Sequence, residues 1–445
     1  MYIERNIDQE LLNWKEESER KPLLVRGARQ VGKSSSIRNL GESFDSFLEI
    51  NFEEHRRVHS LFEGDLTPQG LCENLSVMLD KEIIPGKTLL FFDEIQACIP
   101  AISSLRFFYE KMPELHVVAA GSLLEFALMD IPSFGVGRIR SIYMYPLSFD
   151  EFLLGMGKRK LLELKCRANA QNPLAISIHE KLLGLLKRFL IIGGMPEVVA
   201  KFVTRNDLRE CQRVLDNLIS TLRTDFAIYK DRVPSARIRE VFESVVHQAG
   251  GKFVYAKASQ NLNILQVKEA LKLLIMAGIV IPVTHTSANG IPLGAEANPK
   301  KRKMLLLDTG ILQRLMQLDI SELLFSDDFS LVNKGGIAEQ FIGTEILKNG
   351  SCYTQTELFY WHREALNSSA ELDYLIQKQD EIVPLEVKSG TKGSMNSMFL
   401  FLEEKKPKFG CRLSLENFNA YDRIKVYPLY AYANIIDLNE QSGLK

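Results

Sequence analysis

The sequence predicts an α/β protein built from several domains. In the first third of the chain, short apolar segments alternate with helical patterns, which is typical of a parallel sheet covered on both faces. A second alternation of strands and helices begins near Val332 and predicts a separate α/β domain. With 445 residues, the chain is also too long for one ordinary core. The predicted strands of the first sheet are Leu23 to Arg26, Phe47 to Phe52, Thr88 to Phe92 and His116 to Ala120.

Bulk composition limits the class of protein. Hydrophobic residues make up 46% and charged residues 25% of the chain, as in folded soluble proteins. The formal net charge of -1 gives no whole-molecule argument for a nucleic-acid or membrane partner. The six cysteines are scattered without a CxxC pair, and no apolar run has the roughly 18 residues that a membrane span needs. We therefore expect a cytoplasmic protein with no membrane contact.

Changes of pattern predict four segments. Apolar residues at spacings of three and four after about Phe149 predict a helical lid packed on the first sheet. Two short helices and a strand from Ser235 to Val283 favour a winged-helix-like module, although a structural connector fits the same pattern. The predicted boundaries are 1–148 for the parallel-sheet core, 149–233 for the lid, 234–330 for the winged-helix-like module and 331–445 for the last α/β domain.

Four consecutive bases, Lys300 to Lys303, lie in a turn-rich stretch that predicts a wing or an exposed loop. On such a loop they are able to contact a phosphate backbone. A solvated basic loop explains the same residues without a ligand, and the sequence leaves both interpretations open.

The segment GARQVGKS matches G-x-x-x-x-G-K-[ST] in full and lies between a predicted strand and a predicted helix. Its glycines allow successive backbone N–H groups and the helix N-terminus to face the phosphates of a nucleotide. Lys33 adds a positive charge beside the β and γ phosphates, and Ser34 binds Mg²⁺. The pattern therefore predicts an ATP-binding loop with Gly27, Ala28, Arg29, Gln30, Val31, Gly32, Lys33 and Ser34 as its residues.

Two acidic residues, Asp93 and Glu94, end the buried strand in KTLLFFDEIQ. A carboxylate at the carboxyl end of such a strand is placed to hold the magnesium ion, and we assign that role to Asp93. Glu94 then lies where a carboxylate accepts a proton from the attacking water. Together with the phosphate-binding loop, this pair predicts an ATP-hydrolysing site.

Two further positions are candidates for contacts with the γ-phosphate. Ser122 ends the strand HVVAAGS and serves either as a sensor of the phosphate or as a strand-end cap. Arg138 and Arg140 lie on the glycine-rich segment FGVGRIR, where a guanidinium can stabilise the transferring phosphoryl group. A surface salt bridge is the alternative for these arginines. We assign the catalytic role to Arg138, from its own chain or from a neighbouring subunit.

These residues, together with GRIRSIYMYPLSFDEF, GGMPEVV, KMLLLDTGIL, ELDYLIQ and PLEVKSG, resemble a prokaryotic family of AAA-type ATPases with an uncharacterised C-terminal domain. The resemblance runs through nearly the whole chain. It implies an N-terminal AAA+ or related additional-strand P-loop module and a C-terminal domain similar to PD-(D/E)xK nucleases. The family resemblance supplies an architecture and no substrate.

The last domain has the four residues that a PD-(D/E)xK site needs. Asp373 lies on one predicted strand, Glu386 and Lys388 lie two apart on the next, and Glu339 lies on the preceding helix. Because side chains alternate along a strand, Glu386 and Lys388 point to the same face. The three carboxylates are hard oxygen ligands for a second Mg²⁺ or Mn²⁺, and Lys388 is placed to orient water.

Two functions fit these residues. In the first, an ATPase controls a nuclease-like domain that acts on DNA or RNA; a homo-oligomer is compatible with this function, and the sequence leaves the oligomeric state open. In the second, the C-terminal fold binds a partner and cleaves nothing. Trp361 and His362 either contact nucleic acid or form a partly buried aromatic edge. A third idea, a role in toxin-antitoxin systems or phage defence, rests on no residue.

Overall fold

The computed structural model describes residues 1–129, 131, 137–229, 232–318, 336–365, 369–390 and 393–436. Their contacts divide them into two compact units. The first comprises Met1–Pro146, Met276–Gly278 and Ser351–Gln355, and the second comprises Leu147–Ile275, Ile279–Gly350 and Thr356–Lys445. Among the helices within the described ranges, none has the length and apolar character needed to cross a bilayer.

A five-stranded parallel sheet forms the first unit and confirms the predicted α/β core. Its strand order is β2-β3-β4-β1-β5, so β4 is inserted between β1 and β3. The strands are β1 (Leu23–Arg26), β2 (Ser46–Asn51), β3 (Thr88–Asp93), β4 (His116–Ala120) and β5 (Arg140–Tyr143). The helices are α1 (Asn6–Glu16), α2 (Lys33–Gly41), α3 (Pro68–Leu79), α4 (Ile99–Lys111) and α5 (Leu124–Met129).

The central strands of this sheet are apolar because both of their faces are covered. Every residue of β3 and β4 is buried. On one face, Phe62, Phe92 and Phe108 pack edge to face in the core. Each such side chain contributes about 1.5–3 kcal/mol when it leaves water. The resulting rigid sheet fixes the loops that follow the carboxyl ends of β1, β3 and β4.

The predicted helical segment is present as α6 (Phe149–Gly155), α7 (Arg159–Arg167), α8 (Ile176–Ile192), α9 (Pro196–Arg205) and α10 (Leu208–Asp225). It belongs to the second unit and not to the unit of the first sheet, and its role as a lid stays a prediction. The Phe149 N–H donates to the Glu345 carboxylate at 3.3 Å, and the Lys165 ammonium donates to Asn434 at 3.2 Å. These buried bonds attach the helices to the C-terminal part of the chain.

Two helices, α11 (Ser235–His247) and α12 (Ile264–Met276), precede a hairpin of β6 (Val280–Thr286) and β7 (Ala297–Leu306). The four bases predicted on a wing or an exposed loop lie within β7 of this hairpin, so the exposed loop is wrong and the wing stays a prediction. Because successive side chains of a strand point to opposite faces, these bases do not form one continuous surface. Lys303 is buried, with 6% of its surface exposed.

The hairpin continues an eight-stranded mixed sheet in the order β12-β13-β11-β10-β9-β8-β6-β7. Strand β6 pairs in parallel with β8, so a domain boundary at 330/331 divides strands of one sheet. The remaining strands are β8 (Leu358–His362), β9 (Glu371–Lys378), β10 (Glu381–Val387), β11 (Gly410–Ser414), β12 (Asn419–Tyr421) and β13 (Ile424–Pro428). The helices are α13 (Thr309–Leu315), α14 (Ile337–Lys348), α15 (Asn396–Lys405) and α16 (Ala433–Ile436).

Candidate nucleotide site and C-terminal acidic cluster

The segment between β1 and α2 curls back on itself because two of its positions require glycine. Gly27 has a φ of 141°, and a Cβ atom there would lie 2.2 Å from the Met144 carbonyl oxygen. Gly32 has a φ of 97° and directly precedes the first residue of α2, Lys33. Larger side chains are strained in this left-handed region. The helix N-terminus therefore follows the loop directly, in the arrangement that binds phosphate.

Lys33 is held inside this loop. Its ammonium donates to the carbonyl oxygens of Gly27 at 3.0 Å and Ala28 at 2.8 Å. Burial lowers the pKa of Lys33 to about 8, against the opposing effect of the Glu94 and Asp93 carboxylates. The loop thus positions a buried ammonium group, that of Lys33, whose charge the neighbouring carboxylates do not fully neutralise. The phosphates of a nucleotide provide such charge.

Ser34 and Asp93 meet at the carboxyl edge of the sheet. The Ser34 hydroxyl donates to Asp93 and lies 3.0 Å from each carboxylate oxygen. Burial raises the pKa of Asp93. A hydroxyl and a carboxylate oxygen are the hard ligands that Mg²⁺ prefers. The two side chains therefore fit the magnesium site that the sequence predicts.

Glu94 and Ser122 are brought together at the same edge. The Glu94 carboxylate accepts a hydrogen bond from the Ser122 hydroxyl at 3.3 Å and one from the Gln96 amide at 2.6 Å. A Cβ atom at Gly121 would lie 2.0 Å from the Gln96 amide oxygen, so Gly121 allows Gln96 to reach this position. Sequence reasoning missed Gln96, and its only signal was its place two residues after Glu94. These bonds orient the carboxylate assigned as the base.

Arg138 and Arg140 lie at the opposite edge of the sheet. Arg140 is in register with Leu23, the first residue of β1, whereas the phosphate-binding loop follows the last residue. Arg138 pairs with Glu110, and Arg140 pairs with Glu17 at 2.6 Å. The structure therefore does not bring these arginines together with the phosphate-binding loop, because the length of β1 lies between Arg140 and that loop. Residues 134–136 of the predicted glycine-rich segment lie outside the described residues.

Asp373, Glu386 and Lys388 converge in the second unit. The Val387 N–H of β10 donates to the Asp373 carboxylate on β9 at 2.8 Å, and the Lys388 ammonium donates to Glu386 at 2.6 Å. The second carboxylate oxygen of Glu386 is buried without a hydrogen-bond partner among the described residues. An unsatisfied buried carboxylate oxygen is a plausible ligand for a cation. The donor set fits Mg²⁺ or Mn²⁺.

Lys303 extends this group and was not predicted as part of it. Its ammonium lies 3.3 Å from Glu339, 2.7 Å from Glu371 and 3.7 Å from Asp373. We call Lys303, Glu339, Glu371, Asp373, Glu386 and Lys388 the acidic cluster. An internal cation thus lies among the carboxylates expected to hold a metal ion. Sequence reasoning missed it because Lys303 was placed on a loop.

Burial and mutual repulsion change the protonation of the acidic cluster. Burial, followed by the charge of Asp373, raises the pKa of Glu386 and of Glu339, each to about 7. Burial also raises the pKa of Asp373 itself. Raised carboxylate pKa values are common at functional sites and also occur in structural ion-pair networks. The pKa shifts alone therefore do not separate a metal site from a structural cluster.

Trp361 does not face a ligand surface. Its side chain is buried, with 3% of its surface exposed, and it packs edge to face on Phe401 with ring centroids 5.1 Å apart. Of the two interpretations of Trp361, the aromatic edge fits the structure and stacking on nucleic acid does not, because the ring belongs to the hydrophobic core of the sheet. His362 lies at the end of the same strand and is less buried.

Three family models match consecutive parts of the chain. Residues 19–153 match an AAA domain, AAA_14. Residues 183–322 match a domain of unknown function, DUF8612, and residues 334–432 match a second one, DUF4143. Among curated proteins, none matches the sequence. The family models therefore assign a function to the first unit alone.

The solved structures that resemble this protein have low sequence identity to it. The Walker-type ATPase of Pyrococcus abyssi is 15% identical, with 71% of this chain and 96% of that chain covered and a TM-score of 0.46. The Orc1 protein of Aeropyrum pernix in complex with DNA is 12% identical, with 71% and 93% covered and a TM-score of 0.31. RuvB of Thermotoga maritima is 14% identical, with 62% and 89% covered and a TM-score of 0.29. These likenesses are too distant to assign a function, and it is the family match that shows an AAA-type ATPase domain in residues 19–153.

Proposed function

We propose that the first unit binds ATP with Mg²⁺ and hydrolyses it. Lys33 contacts the phosphates, Ser34 and Asp93 hold the ion, and Glu94 accepts the proton of the attacking water. The observation that carries this proposal is the bonding of Glu94 to Ser122 and Gln96 beside the Ser34–Asp93 pair. Release of phosphate from ATP, measured with and without Mg²⁺, tests it.

We further propose that the nucleotide cycle controls a nuclease-like C-terminal domain. Glu339, Asp373 and Glu386 would hold Mg²⁺ or Mn²⁺, which would supply a Lewis acid for cleavage of a phosphodiester. Lys388 orients water through its position beside Glu386. The unpartnered oxygen of Glu386 supports this proposal. The winged-helix-like arrangement of α11, α12 and the β6–β7 hairpin is the proposed contact with DNA or RNA.

The alternative is a scaffold whose acidic cluster is structural. Lys303 supports this alternative, because its ammonium pairs with two of the three proposed ligands, Glu339 and Asp373, without a metal ion. The side chain of Asp373 is 15% exposed and that of Glu386 only 7%, which also restricts access. The two functions differ in whether metal can displace Lys303.

Cleavage of nucleic acid requires the metal ligands and Lys388 together. We expect Asp373→Ala and Lys388→Ala each to abolish cleavage, since the first removes a hard ligand and the second removes the cation beside the water. ATP hydrolysis should remain, because both residues belong to the second unit. The assay compares single- and double-stranded DNA and RNA with Mg²⁺ or Mn²⁺, with and without ATP. The exposed residues Asp380 and Lys408 provide matched control variants, Asp380→Ala and Lys408→Ala.

A Lys303→Met variant separates the two proposals when no cleavage is seen. If the carboxylates bind metal, losing the competing ammonium should tighten Mn²⁺ binding, and Mn²⁺ should raise the melting temperature of the variant more than that of the wild type. If the cluster is structural, the variant is destabilised by unpaired buried charge and Mn²⁺ does not restore it. Cleavage that survives both Asp373→Ala and Lys388→Ala would place the active site elsewhere.

Arg138 is proposed to act on the nucleotide of a neighbouring subunit. Its side chain is 48% exposed at the amino edge of its own sheet, where another copy can reach it. Mixing Arg138→Ala with Lys33→Ala protein should restore part of the ATPase activity, because some interfaces then pair an intact loop with an intact arginine. Arg140→Ala serves as the matched variant and should behave like the wild type. Mixed oligomers that show no recovered activity would rule out this role.

A further inference from the structure

Two histidines and a glutamate converge at one end of neighbouring strands. His285 lies near the end of β6, His362 is the last residue of β8, and Glu364 follows two residues later. Because β6 and β8 are parallel, their carboxyl ends meet at the same edge of the sheet. Each residue offers one potential ligand atom, and these three atoms lie within 4.8 Å of one another. We call these three residues the histidine cluster.

The hydrogen bonding of His285 leaves a buried lone pair on one of its two ring nitrogens. His285 is 1% exposed, and its Nε2 lies 3.1 Å from the carbonyl oxygen of His362. A carbonyl oxygen only accepts, so Nε2 carries the proton in the neutral ring. Nδ1 is then an acceptor, and it has no hydrogen-bond partner among the described residues. It lies 3.9 Å from a carboxylate oxygen of Glu364.

This arrangement is the one that metal-binding histidines adopt, in which the second ring nitrogen donates to a backbone carbonyl and so fixes the tautomer. A buried acceptor without a partner is destabilising, because it has lost its hydrogen bond to water. A bound cation removes that destabilisation by taking the lone pair. The orientation of His285 therefore points to a ligand independently of the clustering of the three residues.

The other two members are also suited to a metal ion. The Nδ1 atom of His362 is likewise buried without a partner among the described residues. Glu364 is half exposed and pairs with Lys301, which keeps its carboxylate beside the two rings.

We propose that His285, His362 and Glu364 bind a divalent ion of the zinc type. Two imidazole nitrogens and one carboxylate oxygen favour such an ion over Mg²⁺ or Ca²⁺. Zn–N and Zn–O distances of about 2.0–2.2 Å bring neighbouring ligand atoms to about 3.4 Å, and the exposed Glu364 side chain can move that far. Three protein ligands leave a position for water or an anionic group. None of the three residues belongs to the acidic cluster, although His362 on β8 lies opposite Glu371 on β9.

Zinc binding to the full-length chain, freed of metal and nucleotide, tests this proposal. A chromophoric chelator competes for Zn²⁺ while the wild type is titrated, and Co²⁺ is used as a spectroscopic probe. We expect one Zn²⁺ per chain and a Co²⁺ spectrum without thiolate charge-transfer bands. His362→Ala and Glu364→Gln should each weaken binding by at least about tenfold, the smallest effect usual for disturbed metal sites. His285→Gln should do the same if it folds.

Controls separate the histidine cluster from other ligands in the chain. His247→Ala removes an exposed histidine on α11, Cys166→Ser removes an exposed thiol, and Asp373→Asn alters the acidic cluster. The first two variants should bind Zn²⁺ like the wild type, and Asp373→Asn measures any share of the binding that belongs to the acidic cluster. A wild type without a Zn²⁺ site, or affinity unchanged in both His362→Ala and Glu364→Gln, would overturn the proposal. Loss of binding in Asp373→Asn alone would place the ion at the acidic cluster instead.

Discussion

Lys33→Ala should lose most of the affinity for ATP. The wild-type loop holds a buried ammonium on the carbonyl oxygens of Gly27 and Ala28, ready to face the phosphates. Truncating one partner of a buried, hydrogen-bonded charge pair costs about 2–5 kcal/mol. That cost corresponds to a loss of about 30-fold or more in the binding constant. Equilibrium titration with a fluorescent ATP analogue measures it.

The matched control is Lys87→Ala, which removes an exposed lysine of the same unit. It should bind ATP with unchanged affinity. The melting temperature of both variants without nucleotide shows whether each is folded. Wild-type affinity and turnover in a folded Lys33→Ala protein would refute the assignment of the phosphate-binding loop.

Glu94→Gln should separate binding from hydrolysis. The amide keeps the size of the carboxylate and can still accept hydrogen bonds from Ser122 and Gln96 through its oxygen. It cannot accept the proton of the attacking water. General-base catalysis contributes about 10²–10⁴-fold, so turnover should fall by that factor while ATP affinity stays near the wild-type value. Single-turnover hydrolysis and equilibrium binding measure the two effects.

Glu53→Gln alters an exposed glutamate of the same unit and is the matched control. It should leave both binding and turnover unchanged. Unchanged turnover in Glu94→Gln would assign the base to another residue. Loss of affinity together with turnover would instead indicate that Glu94 acts on binding.

The first unit was largely predictable because its signals are local. Four apolar strands and the glycine-lysine-serine pattern are each contained in a few consecutive residues, and the structure places them as expected. The position of Arg138 was not predictable in this way. Its distance from the loop depends on the register of β5 against β1, which no local pattern encodes. This distance is decided by the pairing of two strands that lie more than 100 residues apart in the sequence.

The second unit depends even more on strand pairing that no local sequence pattern encodes. Asp373, Glu386 and Lys388 were found from a short spacing on adjacent strands, and these three residues do converge. Lys303 and His285 were missed because they belong to a hairpin that continues the same sheet. The turn-rich composition around Pro292 and Pro299 predicted a loop, whereas pairing with β6 makes the basic segment a strand. Tertiary pairing overrode the local signal.

The most direct test of the central claim is phosphate release from ATP by the purified wild-type chain, with Mg²⁺ and with a chelator. The account predicts turnover that requires Mg²⁺ and is lost in Asp93→Asn, because Asp93, hydrogen-bonded to Ser34, is the proposed ligand of the ion. The oligomeric state is recorded in the same samples, and DNA and RNA are added in parallel reactions. Turnover that persists with the chelator or in Asp93→Asn would contradict the account, as would a wild type that hydrolyses no ATP in any of these reactions.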